Sequence, residues 1–238
     1  MPRAILLRME TIIISVGGSL IVPNGIDQEF LHQFRACILE EVAMTERRFI
    51  LIAGGGRTAR NYQEAANAVA PLVPADVDWL GIHATRLNGH LLRTIFRDVA
   101  HPTMITNPDE ILDVQGDTRV VIAAGYRPGA STDLRAVQIA SLLGAHRVVN
   151  LSNTDYVYTA DPRTNPEATP IEHMHWENFR TLIPTEWSPG LSSPFDPIAA
   201  KLAQERDIEV ACISGTRLPS LLSYLNNEPF IGTLLNNK

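Results

Sequence analysis

The sequence predicts an α/β fold: a mainly parallel central sheet covered by helices on both faces, a three-layer αβα sandwich. Short, nearly continuous apolar runs alternate with longer stretches of helical periodicity, as strands buried on both faces and their crossover helices require. Glycines cluster where several of the apolar runs end. The chain has 238 residues and is 45% hydrophobic, enough to bury one sizeable core, so a single domain spanning 1–238 is expected.

The elements follow in order. Residues 11–16 (TIIISV) form the first strand. Residues 27–44 form a helix that opens on Asp27 as its cap and repeats Phe30, Leu31, Phe34, Ile38, Leu39 and Val42 at helical spacing. A second strand, 48–53 (RFILIA), is followed by helices at 58–69 and 81–97, and a third, 119–123 (RVVIA), by a helix at 132–143. Strands at 147–151 (RVVNL) and 208–213 (IEVACI) and helices at 197–205 and 218–225 complete the pattern. Proline-containing stretches at 71–74, 165–170 and 184–194 read as surface loops, and no internal repeat interrupts the series.

Charge and composition exclude several functions. With a net charge of -6 and 19% charged residues, no global positive field exists to hold a nucleic acid or an anionic membrane, so any phosphate must be gripped locally. The two cysteines, Cys37 and Cys212, are too few for a disulfide framework and lack metal-ligand spacing, so they read as buried free thiols. No apolar run approaches the roughly 18 to 20 residues that span a bilayer, and residues 1–8 are too short for a signal peptide. A cytoplasmic protein is expected. His173 and His175 form an HxH with no nearby Cys or carboxylate to complete a zinc set, so no structural metal is expected there. His83 reads as a helix histidine, and Trp79, Trp176 and Trp187 as packing residues.

Ligands of an open α/β sheet collect beyond the carboxyl ends of its strands. There the first strand runs into Gly17-Gly18-Ser19, the second into Gly54-Gly55-Gly56, and the third into GYRPGASTD from Gly125 to Asp133. Glycine lets successive N–H groups face one concavity and lets an anion approach the backbone, and helix N-termini behind two of these loops add favourable partial charge. Neither a GxxxxGK[ST] loop nor a GxGxxG fingerprint is present. Arg57 and Arg60 lie almost one turn apart after the triple glycine, where both can serve phosphates; Thr132 and Asp133 read as the cap of the next helix.

The motifs GGSLIVP, AGGGRTARNY, DWLGIHATRLN, AGYRPGASTD, NTDYVYTADPR with NPEATPI, and SSPFDPIAAKLA resemble, in this order, the amino-acid kinase family and within it the archaeal-type uridylate kinases. The resemblance runs from about Thr11 to the C-terminus; residues 1–8 have no counterpart and read as a tail or an early start. It implies transfer of the γ-phosphate of ATP to UMP with Mg2+, as a step of pyrimidine biosynthesis, in a homo-oligomer, commonly a hexamer. Gly17, Gly18 and Asp196 would form the transfer site, with Lys201 as either an added positive group or a surface lysine. Gly56, Arg60, Ser152, Asn153, Tyr158 and Asp161 would face ATP. Gly55, Asp78 and the loop Tyr126, Arg127, Pro128, Gly129, Ala130, Ser131 and Thr132 would hold the acceptor.

The chain departs from the family pattern at named positions. Ser15 stands where many kinases of this fold have lysine, Arg57 replaces the lysine of GGGK, Tyr156 replaces a glycine, and GYRPGASTD replaces GTHPGHTTD. Two alternatives therefore accompany the uridylate kinase expectation. One is a kinase of the same fold with another small acceptor; isopentenyl phosphate and fosfomycin kinases are disfavoured because AGGGRTAR lacks their histidine. The other is a non-catalytic nucleotide- or oxyanion-binding protein resembling the molybdenum storage proteins.

Overall fold

A computed structural model describes residues 9–114, 117–186 and 193–238. Residues 1–8, Trp187 and most of the 184–194 stretch lie outside the described residues. The strands are β1 (Glu10–Val16), β2 (Arg47–Ala53), β3 (Val120–Ala123), β4 (Arg147–Ser152), β5 (Val157–Tyr158), β6 (Pro170–Ile171), β7 (His173–His175), β8 (Glu209–Ser214) and β9 (Thr233–Asn236). The helices are α1 (Gly18–Ile21), α2 (Gln28–Met44), α3 (Gly56–Val69), α4 (Pro74–Ile95), α5 (Thr132–Leu143), α6 (Trp176–Leu182), α7 (Pro197–Glu205) and α8 (Leu218–Leu225), with a 3-10 turn at Pro108–Asp113.

Seven strands form one sheet in the order β3-β2-β1-β4-β8-β9-β7, and β5 and β6 form a separate hairpin. The five strands expected from the sequence are the parallel centre, with β1 between β2 and β4. Side chains alternate along each strand, so neighbouring residues enter opposite cores. Ile13, Ile50, Ile52, Val121, Val148 and Val210 face α5, α6 and α7, where Trp176, Phe179 and Ala200 are fully buried. Ile12, Ile14, Phe49, Leu51, Val149 and Ile213 face α2, α4 and α8, against Phe34, Phe96 and Leu221. Each such side chain contributes roughly 1.5 to 3 kcal/mol by leaving water. The two cores account for unbroken apolar strands and confirm three layers.

Three features correct the sequence expectation and one agrees with it. α4 begins at Pro74, not Gly81, because proline is favoured in the first helical turn; Asp78 is therefore helical. β9 runs antiparallel to β8, and β7 pairs with β9 at the edge, adding strands too short for periodicity to reveal. The cap of α5 is Ser131, whose hydroxyl accepts from Leu134 N at 3.1 Å, leaving Thr132 and Asp133 inside the first turn. Finally, Cys37 and Cys212 are buried free thiols, as expected, and burial pushes both up to about 12.

Candidate active site

The register of β1 against β2 sets Val16 beside Ala53, which brings the glycines after both strands side by side. The ladder continues one step further: Gly17 N donates to Leu151 O at 2.8 Å and Gly54 N to Val16 O at 2.9 Å. The Gly17 amide is thus spent inside the sheet, which removes it from the phosphate-binding donors the sequence suggested. Beyond it the two backbones touch. A methyl group on Gly18 would fall 2.6 Å from Gly56 Cα, and one on Gly56 would fall 2.7 Å from the Gly18 carbonyl carbon. Gly56 also has φ of +62°, which disfavours any side chain. Among the described residues the amides of Gly18, Ser19, Gly55 and Gly56 have no protein acceptor, so four donors at the two touching tips are free for a ligand.

α4 braces one side of this cleft. Asn88 Nδ2 donates to Gly54 O at 2.7 Å and Gly55 O at 3.2 Å, fixing the triple glycine from beneath. Thr85 Oγ1 accepts from Gly125 N at 2.8 Å, and Arg86 donates from Nε to Gly125 O at 3.0 Å and from Nη2 to Tyr126 O at 2.9 Å. Asp78 Oδ2 accepts from Gly129 N at 2.8 Å, so its carboxylate grips the loop after β3. Asp78, Thr85 and Asn88 share one side of the helix through their spacing of seven and three residues. The guanidinium groups of Arg127 in the loop and Arg135 in α5 lie 5.6 and 5.4 Å from the Tyr126 ring centre. Pro128, Ala130 and Thr132 are half-buried along the same wall.

Between the loops lies an acidic centre. Ser15 Oγ donates to Asp133 Oδ1 at 2.9 Å across the tips of β1 and α5. Burial pushes the Asp133 carboxyl up to about 6; the Ser15 hydrogen bond opposes this and the nearby Asp196 charge adds to it. Asp196 caps α7, accepting from Ala199 N at 2.8 Å through Oδ1, while its Oδ2 is buried with no partner. Asn150 on β4 stands alongside, 6% exposed, its amide donating to Pro194 O at 3.0 Å and anchoring the approach to Asp196.

The residues expected to face ATP begin beside the first glycine tip, where a methyl group on Gly17 would fall 3.6 Å from Ser152 Cα. Ser152 ends β4 and Asn153 follows it, exposed. Tyr158 on β5 meets Tyr156 edge-on at 6.3 Å, so the ring that replaces a glycine packs against its neighbour. Arg217 makes two hydrogen bonds to Asp155 at 2.9 and 3.1 Å and pins this segment to the start of α8; those bonds hold the Asp155 carboxyl below its ordinary range. Asp161 is matched by Arg163 through bonds of 3.0 and 2.9 Å. Arg60 is exposed on α3, and Arg57 reaches Glu64 at 3.5 Å. Lys201 is the outlier: it stands on the solvent side of α7, 3.9 Å from Glu205, and is not brought to Asp196.

Asp133, Thr85, Arg86, Asn88 and Arg217 were not singled out from the sequence as site residues. Asp133 was explained by capping, while the three α4 residues lie inside DWLGIHATRLN, where their helical spacing from Asp78 was the available signal.

A parallel sheet with adjoining tips stripped to glycine, bare amides and a carboxylate pair defines an α/β protein built to handle phosphate groups. The chain belongs to the amino acid kinase family, whose family model matches residues 10–214. It is 34% identical over 229 residues to the uridylate kinase of Methanospirillum hungatei, covering 95% of each chain. To that of Methanococcoides burtonii it is 32% identical, covering 91% of this chain and 92% of the relative. The crystal structure of uridylate kinase from Archaeoglobus fulgidus superposes with a TM-score of 0.80 at 28% identity, over 94% of this chain and 99% of that one. The UMP kinase structure from Ureaplasma parvum, with a TM-score of 0.77 at 19% identity over 97% and 100% of the two chains, speaks for the fold alone.

Proposed function

We propose that this chain is a uridylate kinase that transfers the γ-phosphate of ATP to UMP, giving UDP and ADP. The observation that carries the reading is the backbone contact of the two glycine tips, which brings Gly18 against Gly56 and leaves the amides of Gly18, Ser19, Gly55 and Gly56 without protein acceptors. Phosphoryl transfer needs in-line placement of donor and acceptor and positive charge on the separating equatorial oxygens, with little covalent help. The acceptor phosphate is already an ionised nucleophile and needs no general base.

In this reading ATP lies over Gly56, Arg60, Ser152, Asn153, Tyr158 and Asp161, and UMP lies between Gly55, Asp78 and the loop 126–132. Gly17 shapes the tip through its lack of a side chain, and Gly18 contributes its amide. The Asp78 carboxylate can accept from the acceptor as well as from Gly129 N, since a carboxylate has about four lone-pair sites. Mg2+ fits the donor set, because Asp196 and Asp133 offer hard carboxylate oxygens and Asp196 Oδ2 is buried without a partner. The ion would supply positive charge to the phosphate oxygens. The exposed apolar side chains Tyr62, Val69 and Leu87 on α3 and α4 suit the homo-oligomer, a hexamer, that the family implies. No described helix is long and apolar enough to cross a membrane, and a cytoplasmic single-domain enzyme is the setting proposed.

The test is an acceptor panel with Mg-ATP, read as ADP release. UMP is expected to give rapid release, and CMP, AMP and acetylglutamate little. Equal turnover of all acceptors rejects the uridine assignment, and ATP binding without transfer to any of them rejects the kinase.

A further inference from the structure

His173 and His175 form a motif that the kinase reading leaves unused. They lie on β7, an edge strand of the sheet, two residues apart and therefore on one face. Both are exposed, and their ring centres stand 5.2 Å apart. That spacing is informative. Two imidazoles bound to one tetrahedral ion through nitrogens at about 2.0 to 2.1 Å, each ring centre lying roughly 1 Å behind its nitrogen, have ring centres roughly 5 Å apart. The hydrogen bonding agrees with it. His173 Nε2 donates to Asn236 Oδ1 at 2.9 Å, and Lys238 N donates to the same oxygen at 3.1 Å. A neutral imidazole that donates from one nitrogen presents a lone pair on the other, so Nδ1 of His173 is the nitrogen open to a metal. Metal-bound histidines are held in this way, with the second nitrogen donating to an oxygen. His175 is the N-cap of α6, yet its side chain makes no cap bond, so its ring is not spent on the helix.

We infer that His173 and His175 chelate one late first-row divalent cation of the Zn2+ class on the exposed face of β7, with Asn236 holding His173 in the ligating tautomer. Imidazole nitrogens favour Zn2+, Cu2+ and Ni2+, whereas Mg2+ and Ca2+ take oxygen donors. Among the described residues no group of three from His, Cys, Asp and Glu converges, so the ion has two protein ligands and water in its other positions. Such a site is exchangeable, unlike the closed four-ligand set of a structural zinc. Its place in the fold gives it a use. β7 joins β9 through only three pairs, from His173 with Leu234 to His175 with Asn236. An ion held by both histidines, one of them tied to Asn236, clips this short strand to its neighbour. The inference stands apart from the kinase reading, because the seat shares no residue with the transfer site.

The test is a calorimetric titration of untagged, full-length protein with ZnCl2 in excess MgCl2, which fills hard-oxygen sites and leaves imidazole sites open. One ion per chain is expected, with a dissociation constant below about 1 mM. The double variant His173→Gln/His175→Gln is expected to lose this binding, and each single variant to weaken it at least about tenfold. Asn236→Ala, which removes the positioning oxygen, is expected to weaken it about tenfold, the lower end for an outer-shell partner. Both histidines are exposed, so the variants keep the fold, which a melt without ZnCl2 checks. A second readout is thermal: ZnCl2 is expected to raise the Tm of the parent and not that of the double variant, because the ion joins the two side chains only in the folded chain. Three results overturn the seat. One is the absence of saturable binding up to millimolar ZnCl2, and another is equal affinity in the double variant. The third is a single variant that binds as tightly as the parent, since one histidine would then suffice.

Discussion

At Gly18 the identity of the residue is dictated by its neighbour's backbone. Alanine there would place its methyl 2.6 Å from Gly56 Cα and 2.7 Å from the Gly54 carbonyl carbon, atoms that cannot swing away. Gly18→Ala is expected to cost roughly 1 to 3 kcal/mol in denaturant melts, as overpacking does. It should also lower kcat about a hundredfold or more, because a displacement near 1 Å at a transfer site costs that much. Unchanged kcat would show that the tips need not touch. Arg86 acts one step removed, through the carbonyls of Gly125 and Tyr126. Two hydrogen bonds of about 1 kcal/mol each set the expectation for Arg86→Ala: acceptor KM rises about thirtyfold while ATP KM stays near the parent's. An equal rise in both would mean general loosening. Gly18 was legible in the sequence because glycine clusters follow three strands together, which turn formation alone explains poorly. Asp133 was not, since its partner Ser15 is 118 residues away and a helix start already explains an S-T-D segment.

Among the elements, the five central strands and the helices that cover them were legible, because burial on both faces writes itself as unbroken apolar runs. The edge was not: β7 and β9 have three and four residues, too few for a period, and their pairing depends on neighbours distant in sequence. The early start of α4 was hidden by reading Pro71 to Pro74 as a loop, although proline opens helices as readily as it ends them. That first turn and a half carries Asp78 and so one anchor of the loop after β3. At α5, removing the cap with Ser131→Ala is expected to destabilise by about 1 kcal/mol, read in a thermal melt; no change would mean that the Leu134 amide finds water equally well. At the opposite end of the sheet, Glu10 on β1 meets Arg47 and Arg147, each at 3.0 Å. Partial burial raises its pKa, but the bonds from Arg47 and Arg147 outweigh this and leave it below the usual carboxylate range. A depressed folded-state value gives stability that is present above the unfolded-state pKa and lost as pH falls through the folded one. Glu10→Gln is therefore expected to lower stability modestly at pH 7, by less than about 1 kcal/mol per half-exposed pair, and to match the parent in acid below both values. A deficit that persists there would assign the loss to packing.

For the molecule as a whole, one sheet performs two tasks. Its interior splits into two apolar cores, one on each face, and its carboxyl edge brings together the glycine tips, Ser15, Asp133 and Asp196, while Lys201 stands at the surface. The net charge of -6 gives no general attraction for phosphate, so recognition has to come from backbone amides and a few fixed arginines at that edge. Composition and strand-end glycines made this legible at low resolution; the side-by-side placement of the glycine tips needed the register of β1 against β2 and β4. The central claim is that the touching tips seat two nucleotides with their phosphates facing. The most direct measurement is calorimetric titration with adenosine and uridine joined 5′ to 5′ through five phosphates. Tight binding is expected, at least about a hundredfold stronger than that of ATP or UMP alone, as for a ligand that spans both halves of a transfer site, and it should be lost in Gly18→Ala. Affinity no better than that of ATP alone, or unchanged in Gly18→Ala, would contradict the account.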